Sequence, residues 1–240
     1  MKSRYLLLWL EAPLQSWGHD SKFGRRDTLN FPTKSGILGL VCCALGAGGE
    51  QKELLAEFSS LQQTILSFVR SRKQGEEEII KLDREPFLRD FQMVGSGYDD
   101  KDPWQSLLIP KTSDGKKAVG GGAKLTYRYY LQDAYFAVVL AVPDDKSEII
   151  AEALKNPVWD LYLGRKSCIP TDFIYRDMFD NEDQAIAIAQ IIATEKELLE
   201  DFRVIDGEQE GDEVFSLTDV PVCFGEHKTY RDRRVTIINA

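Results

Sequence analysis

The hydrophobic pattern of the chain begins with a short apolar run from Tyr5 to Leu10, which Pro13 and Gly18 close. A run of this length without polar alternation is typical of a strand buried on both faces. The most apolar segment, residues 134–143, predicts a second central strand beside the first. Residues 64–70 alternate and are rich in β-branched side chains, which predicts a further strand.

Helical spacing of apolar residues predicts four helices, over 33–45, 50–63, 146–156 and 182–194. Pro32 and Thr33 open the first, and Gly46 ends it. The order strand, helix, strand, followed again by strand, helix, strand, favours a split β-α-β arrangement with an antiparallel sheet. We therefore expect an α+β fold.

Residues 79–131 contain three strand-like fragments, at 79–82, 87–94 and 125–131, separated by long polar intervals. The interval 95–123 is too polar to pack and too long for a passive turn, and such loops are usually functional or mobile. Three further strand-like pieces, at 214–217, 220–224 and 234–238, predict a small C-terminal β portion. We expect one domain over 1–176 and an acidic helix with this β portion over 177–240.

Charge is unevenly distributed. The net charge is −9, yet residues 177–219 hold fourteen acidic and two basic residues, so the rest of the chain is weakly basic. Bases exceed acids in residues 1–48 and 111–130. These two stretches either form local patches that bind phosphate or are ordinary solvated surface. The acidic stretch is expected to face solvent or a basic protein partner.

Four groups of residues have the chemistry to bind a single RNA strand. The start of the first helix combines free amides, hydroxyls and a cation, and the alternative there is plain N-capping. A polar loop between the first strand and the first helix carries cations beside Phe23. The interval 111–124 carries lysines beside Gly120–Gly122. A turn after the third helix, at 164–167, has the residue types of a phosphate cradle or of a helix C-cap. The candidates are Lys22, Arg25, Arg26, Thr33, Lys34, Ser35, Gly36, Lys111, Lys116, Lys117, Gly121, Lys124, Arg128, Gly164, Arg165, Lys166 and Ser167.

Metals, cofactors and membranes are not expected from the sequence. The four cysteines form no C-x-x-C pair and have no neighbouring histidine, so they are expected to be reduced and mostly buried. No phosphate loop of the G-x-x-x-x-G-K-[ST] type occurs. The apolar start is too short for a signal peptide or a membrane span, which predicts a cytoplasmic protein.

Two motifs resemble a known family. Leu8-x-Leu-x-x-Pro-Leu-Gln-Ser-Trp-Gly18 is followed by Phe31-Pro-Thr-Lys-Ser-Gly-Ile-Leu-Gly-Leu40, and Leu163-Gly-Arg-Lys-Ser-Cys168 comes later. The opening motif, made of segments 8–18 and 31–40, and the later motif at 163–168 are both similar to the Cas-five (CasD) family of type I CRISPR surveillance complexes, especially the type I-E branch.

The resemblance implies a ferredoxin-like, RNA-recognition-type domain with a protruding hairpin, or thumb, at about 79–131. It also implies binding to the 5′ handle of the guide RNA (crRNA), contact with the backbone subunit (CasC) and the large subunit (CasA), and only indirect contact with target DNA. No cofactor is implied.

An enzymatic alternative stays open. Relatives of the type I-C branch process guide RNA with a tyrosine, a lysine and a histidine. Here His19 lies in the basic loop, and His227, Lys228 and Tyr230 lie near the C-terminus. Ribonuclease chemistry without a metal needs a general base, a general acid and a cation. His19 is the candidate catalytic residue if this alternative holds; otherwise the chain has none.

Overall fold

A computed structural model describes residues 3–19, 21, 24–74, 78–94, 102–108, 111–116 and 124–240. Within these ranges ten strands are present: β1 Ser3–Gln15, β2 Arg25–Arg26, β3 Gln63–Gln74, β4 Glu78–Lys81, β5 Leu88–Val94, β6 Lys124–Pro143, β7 Tyr175–Phe179, β8 Leu198–Asp206, β9 Glu213–Cys223 and β10 Thr229–Asn239. The helices are α1 Lys34–Leu45, α2 Lys52–Phe58, α3 Pro103–Leu108, α4 Asp144–Lys155 and α5 Glu182–Glu195.

The central sheet has the order β7-β1-β6-β3, with every neighbouring pair antiparallel. The connection from β1 to β3 contains α1, and the connection from β6 to β7 contains α4. The predicted α+β class is confirmed, and the strand order is compatible with the split β-α-β arrangement expected of a ferredoxin-like domain. β1 pairs with β6 along nearly its whole length, from Ser3↔Pro143 to Gln15↔Leu131.

Both faces of the sheet are covered, because side chains alternate along β1. Leu6 and Leu8 pack in a core that includes α1 and α4, whereas Leu7 and Trp9 pack against α5 on the opposite face. The small side chains Ala185, Ala189 and Ala193 let α5 approach the sheet. The acidic segment therefore has an apolar side that is part of the core, besides the charged side facing outward.

The C-terminal strands extend the same sheet. β8 pairs with β3, β10 with β8, and β9 with β10, all antiparallel. The sequence analysis missed β7 and β8 and drew its boundary at residue 176, which falls within β7. The division into two units stays a prediction, but the strands of 177–240 are continuous with the central sheet.

The predicted strands at 125–131 and 134–143 are one twenty-residue strand, β6. Its first part pairs with β5 from Lys124↔Val94 to Tyr130↔Leu88, forming a hairpin, and β2 pairs in parallel with Tyr127 and Arg128 on the other side. Its second part enters the central sheet. Much of the loop predicted at 95–123 lies outside the described residues.

The predicted helix at 50–63 is shorter than expected, since α2 ends at Phe58 and Gln63 already belongs to β3. All four cysteines are free, and Cys42, Cys168 and Cys223 are buried. Among the described residues, no three His, Cys, Asp or Glu side chains are placed to hold a metal ion. No described helix is long and apolar enough to cross a membrane.

Candidate nucleic-acid interface

A groove runs along α1. Two adjoining clefts, of about 900 and 760 Å³, share Gly18, Ser35, Lys228 and Tyr230 and therefore form one continuous depression. We call it the α1 groove. Its sides come from the end of β1, the turn after α1, the segment before Gly164 and the turn between β9 and β10.

Glycine residues line the floor of the α1 groove, so no side chains project into it from these positions. Gly36 is required by packing, since a Cβ there would lie 2.8 Å from the ring of Trp17. Trp17 is itself fixed, because its indole N–H donates to Gln15 Oε1 at 3.1 Å and its backbone N–H donates to Thr28 Oγ1 at 2.7 Å. Gly39, one turn further along α1, faces open space. A ligand backbone can therefore approach α1 closely.

Aromatic and basic side chains form the walls. Trp159 is 48% exposed and lines the groove, although the apolar stretch around it in the sequence predicts a core position. Lys228 is exposed at the opposite wall beside Tyr230, whose pKa is raised by burial, so the phenol stays protonated at neutral pH. An exposed indole next to a glycine floor has the geometry to stack on a nucleic-acid base.

The helix start does not offer the anion site predicted from sequence. Thr33 is buried and its hydroxyl accepts the Gly36 N–H at 3.1 Å, which is plain N-capping. The Lys34 N–H donates to Asp219 Oδ2 at 2.7 Å. A carboxylate of the protein thus occupies the positive end of the helix dipole, where a phosphate would otherwise bind. Ser35 and Gly36 remain in the groove lining.

The prediction that the Lys34 side chain contacts RNA is wrong. Lys34 is only 2% exposed, and its Nζ donates to the Leu61 carbonyl at 2.5 Å and lies 3.4 Å from Asp206 Oδ2. Burial lowers the pKa of this amine, although the nearby Asp206 opposes the shift. The apolar surroundings and the internal carboxylate make Lys34 a structural residue.

Arg233 completes this buried network. Burial acts to lower its pKa, but hydrogen bonds to Asp219 and the charge of Asp206 outweigh burial, so the pKa is raised. Its guanidinium binds Asp219 through two N–H groups, at 2.6 and 2.8 Å, and also contacts Asp206. The network joins α1 to β8, β9 and β10 directly beneath the groove. From the sequence, Arg233 is expected either to contact RNA or to pair with the acidic stretch at 177–219, and it pairs with Asp206 and Asp219 of that stretch.

A second set of predicted residues comes together at the foot of the hairpin. Arg25 and Arg26 form β2, in register with Tyr127 and Arg128 of β6. The guanidinium of Arg25 is exposed, pairs with Asp27 at 2.7 Å and lies 4.9 Å from the ring centre of Tyr129. We call Arg25, Arg26 and Arg128 the basic edge.

Arg165 holds the basic edge in place. Its guanidinium donates to the carbonyls of Tyr129 at 3.2 Å and Arg26 at 3.1 Å, and it lies 4.6 Å from the ring centre of Tyr130. These contacts use much of its donor capacity on the protein backbone. Lys166 and Ser167, next in the chain, are exposed.

Gly164 connects the basic edge to the α1 groove, since it lines the groove and precedes Arg165. Its φ is +104°, and a Cβ would lie 1.8 Å from the carbonyl oxygen of Ser16. The Ser16 N–H donates to the Leu163 carbonyl at 3.0 Å. The glycine is therefore needed for close packing of two backbones rather than for helix capping.

Of the remaining predicted residues, those whose side chains the structure describes do not line the groove. Lys111 and Lys116 are exposed in the segment 111–116. Lys22, Lys117 and Gly121 lie outside the described residues, and only the backbone of Lys124 is described.

Comparisons with known proteins settle the family. A family model described as "CRISPR-associated protein (Cas_Cas5)" matches residues 5–236, almost the whole chain. The chain belongs to the Cas5 family. The resemblance found in the two motifs is thereby confirmed.

One relative of this Cas5 chain is the "CRISPR system Cascade subunit CasD" of Escherichia coli (strain K12), 32% identical over 170 residues. The alignment covers 68% of this chain and 66% of that protein, just under two thirds of its length. A solved structure described as "CRISPR RNA-guided surveillance complex" matches with a TM-score of 0.69 at 25% identity, covering 98% of this chain and 90% of that one.

Sequence reasoning missed three wall residues of the groove in this Cas5 chain. Trp159 follows Pro157 and Val158 in an apolar stretch, so its exposure has no signal in the pattern. Lys228 and Tyr230 were considered only as catalytic residues, because nothing in the sequence shows that the β9–β10 turn folds back beside α1. The turn residues Glu226, His227 and Lys228, polar and adjacent, were the available hint.

Proposed function

We propose that this Cas5 chain is the subunit of a cytoplasmic CRISPR RNA-guided surveillance complex that caps the 5′ handle of the crRNA. In this role it ends the filament of backbone subunits and helps to seat the large subunit that recognises target DNA. Family membership and the likeness to the surveillance complex support this assignment.

The observation that carries the proposal is the α1 groove. Single-stranded RNA is bound by proteins through base stacking on aromatic rings and through contacts to the sugar-phosphate backbone. The groove supplies Trp159 for stacking, Lys228 for a phosphate, and the Ser35 hydroxyl. Its glycine floor lets the RNA backbone lie against α1 without a steric clash at Gly39.

The basic edge extends this surface toward the hairpin. Arg25 and Arg26 are exposed, and Arg128 lies beside them in register on β6. Two adjacent arginines on a strand that Arg165 fixes to the protein present guanidinium groups at a defined spacing. Phosphates of an RNA strand leaving the groove at Gly164 meet these groups first.

Fluorescence anisotropy with a labelled handle RNA tests the proposal. Trp159→Ala is expected to weaken binding about 5- to 150-fold, since loss of stacking on one base costs roughly 1–3 kcal/mol. The matched control is Phe173→Ala, which removes an aromatic ring that is 83% exposed outside the groove and should leave the affinity unchanged. Equal affinity for wild type and Trp159→Ala contradicts the groove assignment.

A second candidate function, metal-independent cleavage of precursor crRNA, is favoured by one specific observation. His19, Lys228 and Tyr230 line the same cleft. In such a site Tyr230, which burial keeps protonated at neutral pH by raising its pKa, carries a proton that it could donate, and Lys228 is suited to stabilise negative charge on phosphate.

Incubation of repeat RNA with the purified chain in EDTA separates the two functions. Specific cleavage that His19→Ala and Tyr230→Phe both abolish supports the endoribonuclease. Retained binding of the handle with no cleavage supports the cap alone.

A further inference from the structure

A pocket lies at the point where β6 leaves β3. The last register pair between these strands is Phe68↔Tyr135, after which β3 continues toward β4 and β6 toward β5. The gap between the diverging strands is closed by the segment 82–87 and forms a pocket of about 390 Å³. Its lining shares no residue with the α1 groove. We call it the fork pocket.

Apolar side chains form part of the walls of the fork pocket, and its position is fixed. Val69, Leu82, Pro86 and Leu131 contribute to the lining, and Phe87 is 48% exposed at the pocket. The Leu82 N–H donates to the Arg70 carbonyl at 2.9 Å, and Gln132 Nε2 donates to the Pro86 carbonyl at 2.8 Å. Both ends of the closing segment are therefore attached to the diverging strands, so the pocket is preformed.

Both arginines of the lining are already paired. Arg70 lies 3.7 Å from Asp133 and donates to the Tyr135 hydroxyl at 3.0 Å. Arg84 pairs with Asp201 at 2.6 Å, a carboxylate that it shares with Lys81. Two further carboxylates line the pocket, Asp83 and Glu85, and both are exposed. Neither forms an ion pair with a described residue, although Glu85 adds to the Tyr135 hydrogen bond in raising the pKa of the nearby Arg70 guanidinium. The lining thus combines apolar side chains with three carboxylates and two guanidinium groups, which leaves an excess of negative charge.

We propose that the fork pocket binds an arginine side chain presented by a neighbouring protein subunit. The inference rests on the proposed function, because it requires that the chain assembles with other proteins. A guanidinium group fits the lining in two ways: its planar face stacks on the ring of Phe87, and its N–H groups reach carboxylates. Lysine lacks the planar face, and a bare apolar side chain leaves Asp83 and Glu85 unpaired.

Charge selects a protein rather than RNA at this pocket. A phosphate backbone beside Asp83 and Glu85 meets like charge, and Arg70 and Arg84 are each already in an ion pair, although the buried Nη2 of Arg84 makes no hydrogen bond. The α1 groove and the basic edge have the opposite character. RNA and a protein partner can therefore bind this chain at the same time on separate surfaces.

Site-specific crosslinking in the assembled complex identifies the occupant. A benzophenone-bearing phenylalanine analogue is placed at Phe87, the complex is assembled by co-expression with its other subunits and crRNA, and the crosslinked peptide is sequenced by mass spectrometry. A peptide of another subunit with an arginine within about one helical turn of the crosslink is expected. Crosslinks to crRNA, to a peptide without arginine, or to nothing overturn the proposal.

Charge reversal gives an independent measure. Asp83→Lys with Glu85→Lys is expected to lower incorporation of this chain into the complex at least fivefold. Glu195→Lys with Glu210→Lys makes the same change in net charge at exposed positions away from the pocket and should leave incorporation unchanged. Equal incorporation of both double variants refutes the pocket assignment.

The two proposals fail in different ways. If wild type neither binds handle RNA nor enters the complex, the proposed function is wrong. If wild type does both and the Asp83→Lys, Glu85→Lys variant behaves identically, only the fork pocket is misassigned. The handle affinity of that variant, measured on the isolated chain, should remain within twofold of wild type.

Discussion

Gly164 shows how one residue without a side chain determines the geometry of a surface. Its α-carbon lies against the backbone of Ser16, at the junction between the α1 groove and the basic edge. Gly39 lies in the same groove but has nothing within 4 Å of an added Cβ. Gly164 is needed for close packing of two backbone segments, whereas Gly39 leaves space for a ligand.

Substitution of these two glycines should have opposite effects on stability. Gly164→Ala forces a methyl group against the Ser16 carbonyl at positive φ and should cost roughly 2–5 kcal/mol. Gly39→Ala, in the interior of α1, should raise stability by up to about 1 kcal/mol. Urea unfolding monitored by circular dichroism measures both. A Gly164→Ala protein as stable as wild type would contradict the packing described here.

Lys34 and Trp159 mark the limit of prediction at the residue scale. The sequence showed a lysine at a helix start, where solvent and phosphate are the usual partners. It could not show that Asp206 and Asp219, more than 170 positions later, return to the same helix. Arg25 and Arg26 were predicted successfully as exposed cations because a short polar loop with Gly24 has few ways to bury them.

A cluster of ion pairs connects β1, the segment before β7 and the end of α5. Asp172, in the loop before β7, contacts Arg176 at 2.5 Å and Lys196 at 2.8 Å, and Lys196 also contacts Glu11 of β1 at 2.8 Å. Burial alone would raise the pKa of Asp172, but the hydrogen bonds from Lys196 and Arg176 outweigh it, so the pKa is lowered. The cluster attaches α5 to the sheet at its C-terminal end.

Acid should weaken this attachment. Because the folded pKa of Asp172 lies below its ordinary value of 3.8, its stabilisation is fully present above that value and is lost as the pH falls through the folded pKa. Asp172→Asn should therefore cost roughly 1–2 kcal/mol at pH 7 and progressively less below pH 3.8. Urea midpoints across this pH range check the trend, with the exposed Glu210→Gln as control. A cost that does not vary with pH would refute it.

The sequence pattern predicted the helices and strands that have long apolar runs, but it did not predict those that are short or rich in charged residues. β1, α1, α4 and the second half of β6 lie where the pattern placed them, because their burial requires apolar side chains at regular spacing. β8 was missed since Glu200, Asp201 and Arg203 interrupt its apolar positions. These charged residues are satisfied by partners distant in sequence, such as Arg84 for Asp201.

At the scale of the whole molecule, acidic and basic residues are concentrated on different parts of the protein. The net charge of −9 includes a strongly acidic stretch whose helix α5 packs on the face of the sheet opposite α1. Arg25 and Arg26 of the basic edge, with Lys166 and Lys228, are exposed, and Arg128 is partly exposed. A strand of RNA is thus attracted to one surface only, and non-specific binding elsewhere is disfavoured.

Salt dependence of RNA binding should reflect this small number of cations. With at most about five phosphate contacts, the plot of log affinity against log salt concentration should have a slope between about −2 and −3.5. Lys228→Gln should make the slope shallower by about 0.7, the value for one phosphate on a single strand. A slope steeper than about −6 would show that a much larger basic surface is used.

The path of β6 has a mechanical consequence. The strand pairs with β5 in the hairpin as far as Tyr130 and with β1 in the central sheet from Leu131 onward. Asp133, just inside the sheet, has a φ of +42°, so the strand departs from extended geometry where the hairpin leaves the body. The direction of the hairpin is therefore set by the backbone at this junction when the chain folds, before any RNA arrives.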